Sequence, residues 1–318
     1  MSDTQEKVGR RGWRERLPLI ERAVGTAKPA ESLRQPRGAG PVPPAHAPQS
    51  PSAPASRAGD AAAAARPPAS RQSRYAEIDL ERLASMGLLT PTAARSRIKE
   101  EYRVIKRSVL QNAFQPGRTR GLPGNMVMVT SAKPNEGKTF TAVNLAISIA
   151  LERDYTVLLI DGDFAAPSVT RTLGLESDKG IVDILEDPSI DLSDVMIRTN
   201  IEKLSILPAG SSHNLSTELL ASHRMSEVVA DIAQRYHDRI VIFDAPPILA
   251  TSEPTTLAMH VGQIVLVVEA DRTTKAAVKE ALSMLDTGAN IGVVLNRCSP
   301  RIGQAQFGSY YLSAKDKA

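Results

Sequence analysis

The stretch Ala132-Lys133-Pro134-Asn135-Glu136-Gly137-Lys138-Thr139 has the spacing of a phosphate-binding loop, with alanine where the pattern begins on glycine. Such a loop, here Lys133 to Phe140, turns its backbone N–H groups inward around a phosphate, except at Pro134, which has none. The helix that follows points the positive end of its dipole at the same anion. Lys138 is placed to reach the β- and γ-phosphates of ATP, and the Thr139 hydroxyl to ligate Mg. Gly137 leaves the backbone room for close approach, while Pro134 and Asn135 stand where many such loops carry glycine. A Gly-Lys-Thr triplet alone is common. One set between an apolar strand and an amphipathic helix is a specific signal.

Three carboxylates can complete the site. Asp161 and Asp163 lie two residues apart at the end of one apolar run, and Asp244 ends another, ahead of Pro246 and Pro247. In a doubly wound sheet, ligands collect at the carboxyl ends of the strands, so these acids converge on the loop after the first strand. Mg takes hard oxygen ligands and some water, which makes Thr139, Asp161 and Asp244 the candidate ligands. Taken alone, Asp161 reads equally as a helix N-cap or a turn residue. Asn296, also at the end of an apolar run, offers either an amide to an adenine edge or a satisfied loop side chain.

The elements that must position these side chains follow from an alternation. Short runs rich in Val, Ile and Leu occur at 126–130, 156–161, 204–207, 240–244, 264–268 and 291–295, with stretches of helical period between most of them. Near-continuous apolar runs are what strands buried on both faces require. Strand–helix alternation then implies an α/β fold with a doubly wound, mostly parallel sheet. This domain is assigned to residues 121–300, and the polar segment 301–318 reads as a tail.

The first 120 residues have a different texture. In 1–24, Trp13, Leu17, Ile20 and Val24 share one face of a short, basic amphipathic helix. Ten of the 22 prolines fall within 29–68, amid Ala and Gly. Such a stretch buries too little apolar surface to offset its ordering entropy, so 25–74 is expected to be a disordered linker. Residues 75–120 read as a helical lead-in, with Ile98, Tyr102, Ile105 and Val109 along one stripe. Residues 1–120 carry 22 Lys and Arg against 11 Asp and Glu, whereas 121–318 carry 17 against 24. A basic arm on an acidic body can serve nucleic acid, an anionic membrane surface or an acidic partner, or merely keep a linker solvated. No run of 18 apolar residues could span a membrane, the charged N-terminus is not a secretory signal, and Cys298 has no partner for a disulfide within the chain. These features point to the cytoplasm.

The phosphate-binding loop, the Asp-x-Asp strand end and the later Asp-x-Pro-Pro together resemble the bacterial tyrosine-kinase (BY-kinase) family, over about residues 77–311. The chain is most similar to the exosortase-A-associated tyrosine autokinases of exopolysaccharide operons. Leu207-Pro208-Ala209-Gly210 with Glu218-Leu219-Leu220 looks like a further family stretch. The resemblance implies an ATP- and Mg-dependent autokinase on a P-loop fold. In it Lys138, Asp161, Asp163 and Asp244 are catalytic, and Asp163 is the candidate to accept the tyrosine proton. Glu100, Arg103 and Lys106 look like a family motif that mediates ring assembly, with Lys106 in place of its last arginine, and their spacing of three is read as one polar ridge. Tyr310 and Tyr311 stand where the family carries its autophosphorylated tyrosines. The implied partners are further copies of the chain and a separate membrane polysaccharide copolymerase (chain-length determinant), which would hold the kinase peripherally at the inner membrane. Nucleic acid is not the expected partner. Two features keep other readings open. Lys133 matches the signature lysine of partition- or septum-type ATPase switches, and Ala165 replaces a basic residue of the family, as a non-catalytic ATP-binding scaffold of an export complex would allow.

Overall fold

The structure, a computed structural model, describes residues 74–94, 96–114, 121–210, 219, 222–236, 238–285 and 287–299. Its centre is one eight-stranded sheet, made of β1 (Arg74–Ala76), β2 (Met126–Ser131), β3 (Thr156–Asp161), β4 (Ile197–Thr199), β5 (Leu204–Leu207), β6 (Arg239–Asp244), β7 (Gln263–Glu269) and β8 (Asn290–Asn296). Their spatial order is β1-β4-β5-β3-β6-β2-β7-β8. Every pairing is parallel except that of β4 with β5.

The period of two along each central strand divides the apolar side chains between two cores. Met126, Met128, Leu158, Ile160, Val241 and Phe243 face one layer of helices, formed by Ile181–Glu186, His223–Arg235, Glu253–Ala258 and Lys275–Met284. Val127, Val129, Val157, Leu159, Ile240 and Ile242 face the other. Side chains on both faces of these strands are buried, which is why each reads as an unbroken apolar run.

The second core packs against α1 (Leu80–Ser85), α2 (Arg97–Ala113), α3 (Lys138–Ala150) and α4 (Val169–Leu173). Asp79 starts α1 by accepting from the backbone of Glu81 and Arg82, each at 3.0 Å, and Ser96 starts α2. Tyr102 and Val109 are buried and Ile98 and Ile105 partly so, as the stripe requires. The backbone between α1 and α2 is pinned to α3, where Asn144 Oδ1 accepts from Leu89 N at 2.7 Å.

The three-residue strands β1 and β4 are not among the six runs read from the sequence. Their pairing is tertiary: Ile78 N donates to Asn200 Oδ1 at 2.9 Å, and Asn200 Nδ2 donates back to Ile78 O at 3.0 Å. Arg74, read as the last linker residue, opens β1.

The single polar ridge expected of Glu100, Arg103 and Lys106 does not form. Arg103 pairs with Glu100 at 2.9 Å on the exposed face. Lys106 turns inward, donating to Ser148 O at 2.9 Å and pairing with Glu152 at 2.6 Å, with 12% of its side chain exposed. The reason is geometric. Each step of three falls about 60° short of a full turn, so two steps carry Lys106 about 120° round the helix, onto the end of α3.

The segments 1–73 and 300–318 lie outside the described residues, and with them the amphipathic N-terminal helix, the linker, Tyr310 and Tyr311. Among the described residues no helix is long and apolar enough to cross a membrane.

Candidate active site

β6 lies between β3 and β2, so the carboxyl ends of three strands open onto one crevice. The register aligns Asp161 with Asp244 across β3 and β6, and Val129 with Asp244 across β2 and β6. Gly162 N donates to Asp244 O at 2.9 Å and ties the two acidic ends together.

The loop after β2 wraps the start of α3. Gly137, at φ 92, is its left-handed N-cap, and Asn135 is also left-handed at φ 66. Glycine suits 137 because φ 92 strains any other side chain, and a Cβ there would also displace the Asn296 amide. That amide instead donates to Glu136 O at 2.9 Å, so Asn296 buttresses the loop. Lys133, Pro134 and Asn135 are exposed, and Phe140 packs its ring against the second core.

The chemistry-bearing side chains meet here. Lys138 Nζ lies 2.7 Å from Asp163 Oδ2, with 13% and 6% of the two side chains exposed. Thr139 Oγ1 donates to Asp244 Oδ2 at 2.6 Å. Asp163 Oδ1 accepts from Ala166 N at 3.0 Å, which closes the turn after β3. Asp161 Oδ2 accepts from Ser168 N and Val169 N, both at 2.9 Å, and Asp161 Oδ1 from Asp163 N at 3.4 Å. Both oxygens of Asp161 are thus engaged by backbone donors, one in the turn to Asp163 and the other by Ser168, the N-cap of α4, and Val169.

Burial first, and then the neighbouring Asp244, push the Asp161 carboxyl up to about 7, against the backbone donors that hold it down. Burial likewise lifts Asp244 to about 6, opposed by Lys138 and the Thr139 hydroxyl. Burial works to lower the Lys138 ammonium, but Asp244, Asp163 and Asp161 outweigh it and raise it. One ammonium thus stands among three carboxylates. Asp244 Oδ1 is buried with no hydrogen-bond partner. An orphaned carboxylate oxygen beside a threonine hydroxyl suits a hard divalent cation. Among the described residues no group of three or more His, Cys, Asp or Glu is arranged to cage a metal. The donor set therefore fits Mg completed by phosphate oxygens and water, the usual division for that ion.

Two contributors escaped the sequence reading. Ser168 Oγ lies 2.8 Å from Thr139 Oγ1 and 3.5 Å from Asp244 Oδ2. Its place before a helix signals a cap, and nothing local reports a contact with Thr139. Thr273 donates to Glu136 Oε1, while Glu136 Oε2 accepts from Lys133 N at 2.8 Å. The buried Glu136 carboxylate thus stitches the phosphate-binding loop to the turn after β7.

Residues 124–290 match the AAA domain family. Tyrosine-protein kinase YwqD of Bacillus subtilis (strain 168) is 32% identical over 212 residues, 66% of this chain and 85% of its own length. The kinase domain of Escherichia coli tyrosine kinase ETK superposes with a TM-score of 0.56 at 25% identity, over 74% of this chain and 95% of that one. The chimerical protein CapA2B2 does so with a TM-score of 0.58 at 25% identity, over 70% and 93%. The fold, the convergence of Lys138, Asp163, Thr139 and Asp244 at three strand ends, and these likenesses agree: the chain belongs to the bacterial tyrosine-kinase family and is a protein-tyrosine kinase of the P-loop type.

Proposed function

We propose that the chain is an ATP- and Mg-dependent autokinase that phosphorylates Tyr310 and Tyr311 of a neighbouring copy, and that this reaction regulates exopolysaccharide polymerisation and export. The observation that carries the reading is the pairing of Lys138 with Asp163, beside the pairing of Thr139 with Asp244. The first presents a cation and a proton acceptor in contact. The second presents hydroxyl and carboxylate oxygens for a metal.

The steps follow from these contacts. The loop N–H groups and the α3 dipole bind the phosphates, and Lys138 exchanges Asp163 for phosphate oxygens. That exchange frees Asp163 Oδ2 to face an incoming tyrosine hydroxyl. The tyrosine oxygen attacks the γ-phosphorus, the bond from that phosphorus to the β–γ bridging oxygen breaks, and ADP leaves. The tyrosine proton passes to Asp163. Thr139 and Asp244 would hold Mg, which when bound neutralises charge on the β- and γ-oxygens. Ser168, through its contacts with Thr139 and Asp244, keeps that pair oriented.

The assembly that brings a neighbour's tail into the crevice rests on Glu100 and Arg103, which remain exposed on α2. The activator is a separate membrane polysaccharide copolymerase, which would hold the kinase at the inner membrane. The resemblance to the bacterial tyrosine-kinase family supports this, as does the likeness to the chimerical protein CapA2B2.

The experiment incubates the purified chain with ATP and Mg, blots for phosphotyrosine and maps the peptides by mass spectrometry. Phosphate on Tyr310 and Tyr311, absent when Mg is chelated, is the expected result. Hydrolysis without phosphotyrosine would turn the reading toward a partition- or septum-type switch using Lys133. Nucleotide binding without turnover would turn it toward a scaffold.

A further inference from the structure

Helix α4 is five residues long. A helix this short has almost no interior, so most of its N–H and C=O groups need partners outside it. Val169 and Leu173 anchor it in the second core, both fully buried. At its amino end the Asp161 carboxylate accepts from Ser168 N and Val169 N. At its carboxyl end the guanidinium of Arg82, from the lead-in helix α1, donates to Thr172 O at 3.2 Å and to Arg171 O at 3.0 Å. A cation is electrostatically suited to a helix carboxyl end, and the forked guanidinium satisfies two carbonyls at once. A single short helix therefore has an active-site carboxylate at one end and a lead-in residue at the other.

Arg82 is itself held in place. Asp79 caps its backbone, the adjacent Leu83 is fully buried, and the reciprocal bonds between Ile78 and Asn200 fasten the chain just before α1. Gly174, left-handed at φ 71, makes room for the guanidinium, since a Cβ there would lie 2.6 Å from Arg82 Nη1. On the other side, Ser168 immediately precedes α4 and touches both Thr139 and Asp244. The position of α4 thus sets where the Ser168 hydroxyl and the Asp161 carboxylate lie relative to the Thr139–Asp244 pair.

We infer that Arg82 is a positioning residue of the kinase site, acting through α4 to keep Ser168 and Asp161 in register with Thr139 and Asp244. The inference rests on the Mg–nucleotide reading of that site and adds to it a control point on the lead-in. Removing the guanidinium leaves two helix-end carbonyls without their side-chain donor and lets α4 shift along the face of β3. The cost should therefore appear where Mg is held rather than only in stability, as for other residues that orient metal ligands from behind.

The test uses the full chain. Mg is titrated against binding of a fluorescent ATP analogue and against the initial rate of phosphotyrosine formation, with the melting temperature recorded in parallel. Arg82→Ala should raise the Mg concentration for half-maximal effect by on the order of tenfold. Arg82→Lys, which keeps a cation within reach of the carbonyls, should recover part of that shift. Gly174→Ala, whose methyl group would displace Nη1, should move the Mg requirement the same way. Asn125→Ala serves as a control. It removes side-chain bonds to Tyr236 O and Arg239 O far from α4, so it should lower the melting temperature at an unchanged Mg requirement. An Arg82→Ala protein with a lowered melting temperature but a wild-type Mg requirement would overturn the inference and leave Arg82 as a staple for α1. A wild-type protein with no Mg-dependent nucleotide binding would instead remove the reading on which it rests.

Discussion

Replacing Asp163 with Asn should separate phosphoryl transfer, which falls, from nucleotide binding, which holds or tightens. Lys138 spends its charge on Asp163 in the structure, at 2.7 Å in a nearly closed site. ATP must break that pair before Lys138 can take up phosphate oxygens. A hydrogen bond to a charged group contributes about 1.5–3 kcal/mol, and the exchange recovers most of this in the new contacts. The uncharged amide of the Asp163→Asn variant would hold Lys138 less tightly, and the attraction between the ammonium and the phosphates would no longer be offset by the carboxylate. ATP should then bind equally well or up to about tenfold more tightly, about 1.4 kcal/mol. The amide oxygen still accepts from Ala166 N, so the turn after β3 survives. Transfer loses its proton acceptor, a role typically contributing on the order of 10²–10⁴ in rate. The assay pairs the dissociation constant of a fluorescent ATP analogue with the initial rate of phosphotyrosine formation at saturating ATP. If ATP affinity falls by as much as the rate does, Asp163 is a binding residue and not the acceptor. If the rate holds, the proton goes elsewhere.

Lys138→Met should weaken ATP binding by about 10- to 100-fold, from the loss of one charged contact of about 1.5–3 kcal/mol, and should abolish phosphotyrosine. Isothermal titration with a blot checks both. Glu100→Ala with Arg103→Ala removes an exposed pair contributing only a few tenths of a kcal/mol to the monomer, so the fold and ATP binding should persist while oligomers and transfer in trans are lost. Light scattering after size exclusion tests this, and a double variant that assembles normally would return the pair to a solvated surface. Lys106→Ala should instead cost the monomer about 1 kcal/mol, because Lys106 caps the carboxyl end of α3. Urea unfolding distinguishes the two cases. The Ser193 hydroxyl and backbone, together with Arg235, lower the Asp191 carboxyl to about 2. A folded-state value below the unfolded one means that this stability is present above about pH 4 and is lost as pH falls toward 2. Asp191→Ala should therefore cost about 1 kcal/mol at pH 7 after allowance for solvent screening, and the gap to wild type should narrow in urea titrations toward pH 2. A gap independent of pH would show that the charge of Asp191 carries none of the effect.

Much of the fold was legible because its information is local. Strands buried on both faces are near-continuously apolar, so the runs 126–130, 156–161 and 240–244 declare themselves without partners. The phosphate-binding loop is legible for a similar reason. Gly137, Lys138 and Thr139 act through their own backbone and the helix that follows, all within a few residues of chain.

The α/β class, the loop, and the three carboxylates at two strand ends that meet it are therefore readable from the residues alone. Which side chains touch is set by how the elements pack. Ser168 stands 29 residues from Thr139, Glu136 lies 137 from Thr273, and Arg82 lies about 90 from the carbonyls it caps. None of these spacings has a local signature, because each contact is made by packing one element on another. The same holds for Lys106, whose motif spacing matches a surface ridge while helical drift turns it onto α3. It holds again for β1 and β4, whose strand character comes from backbone pairing across the sheet edge and not from an apolar run of their own.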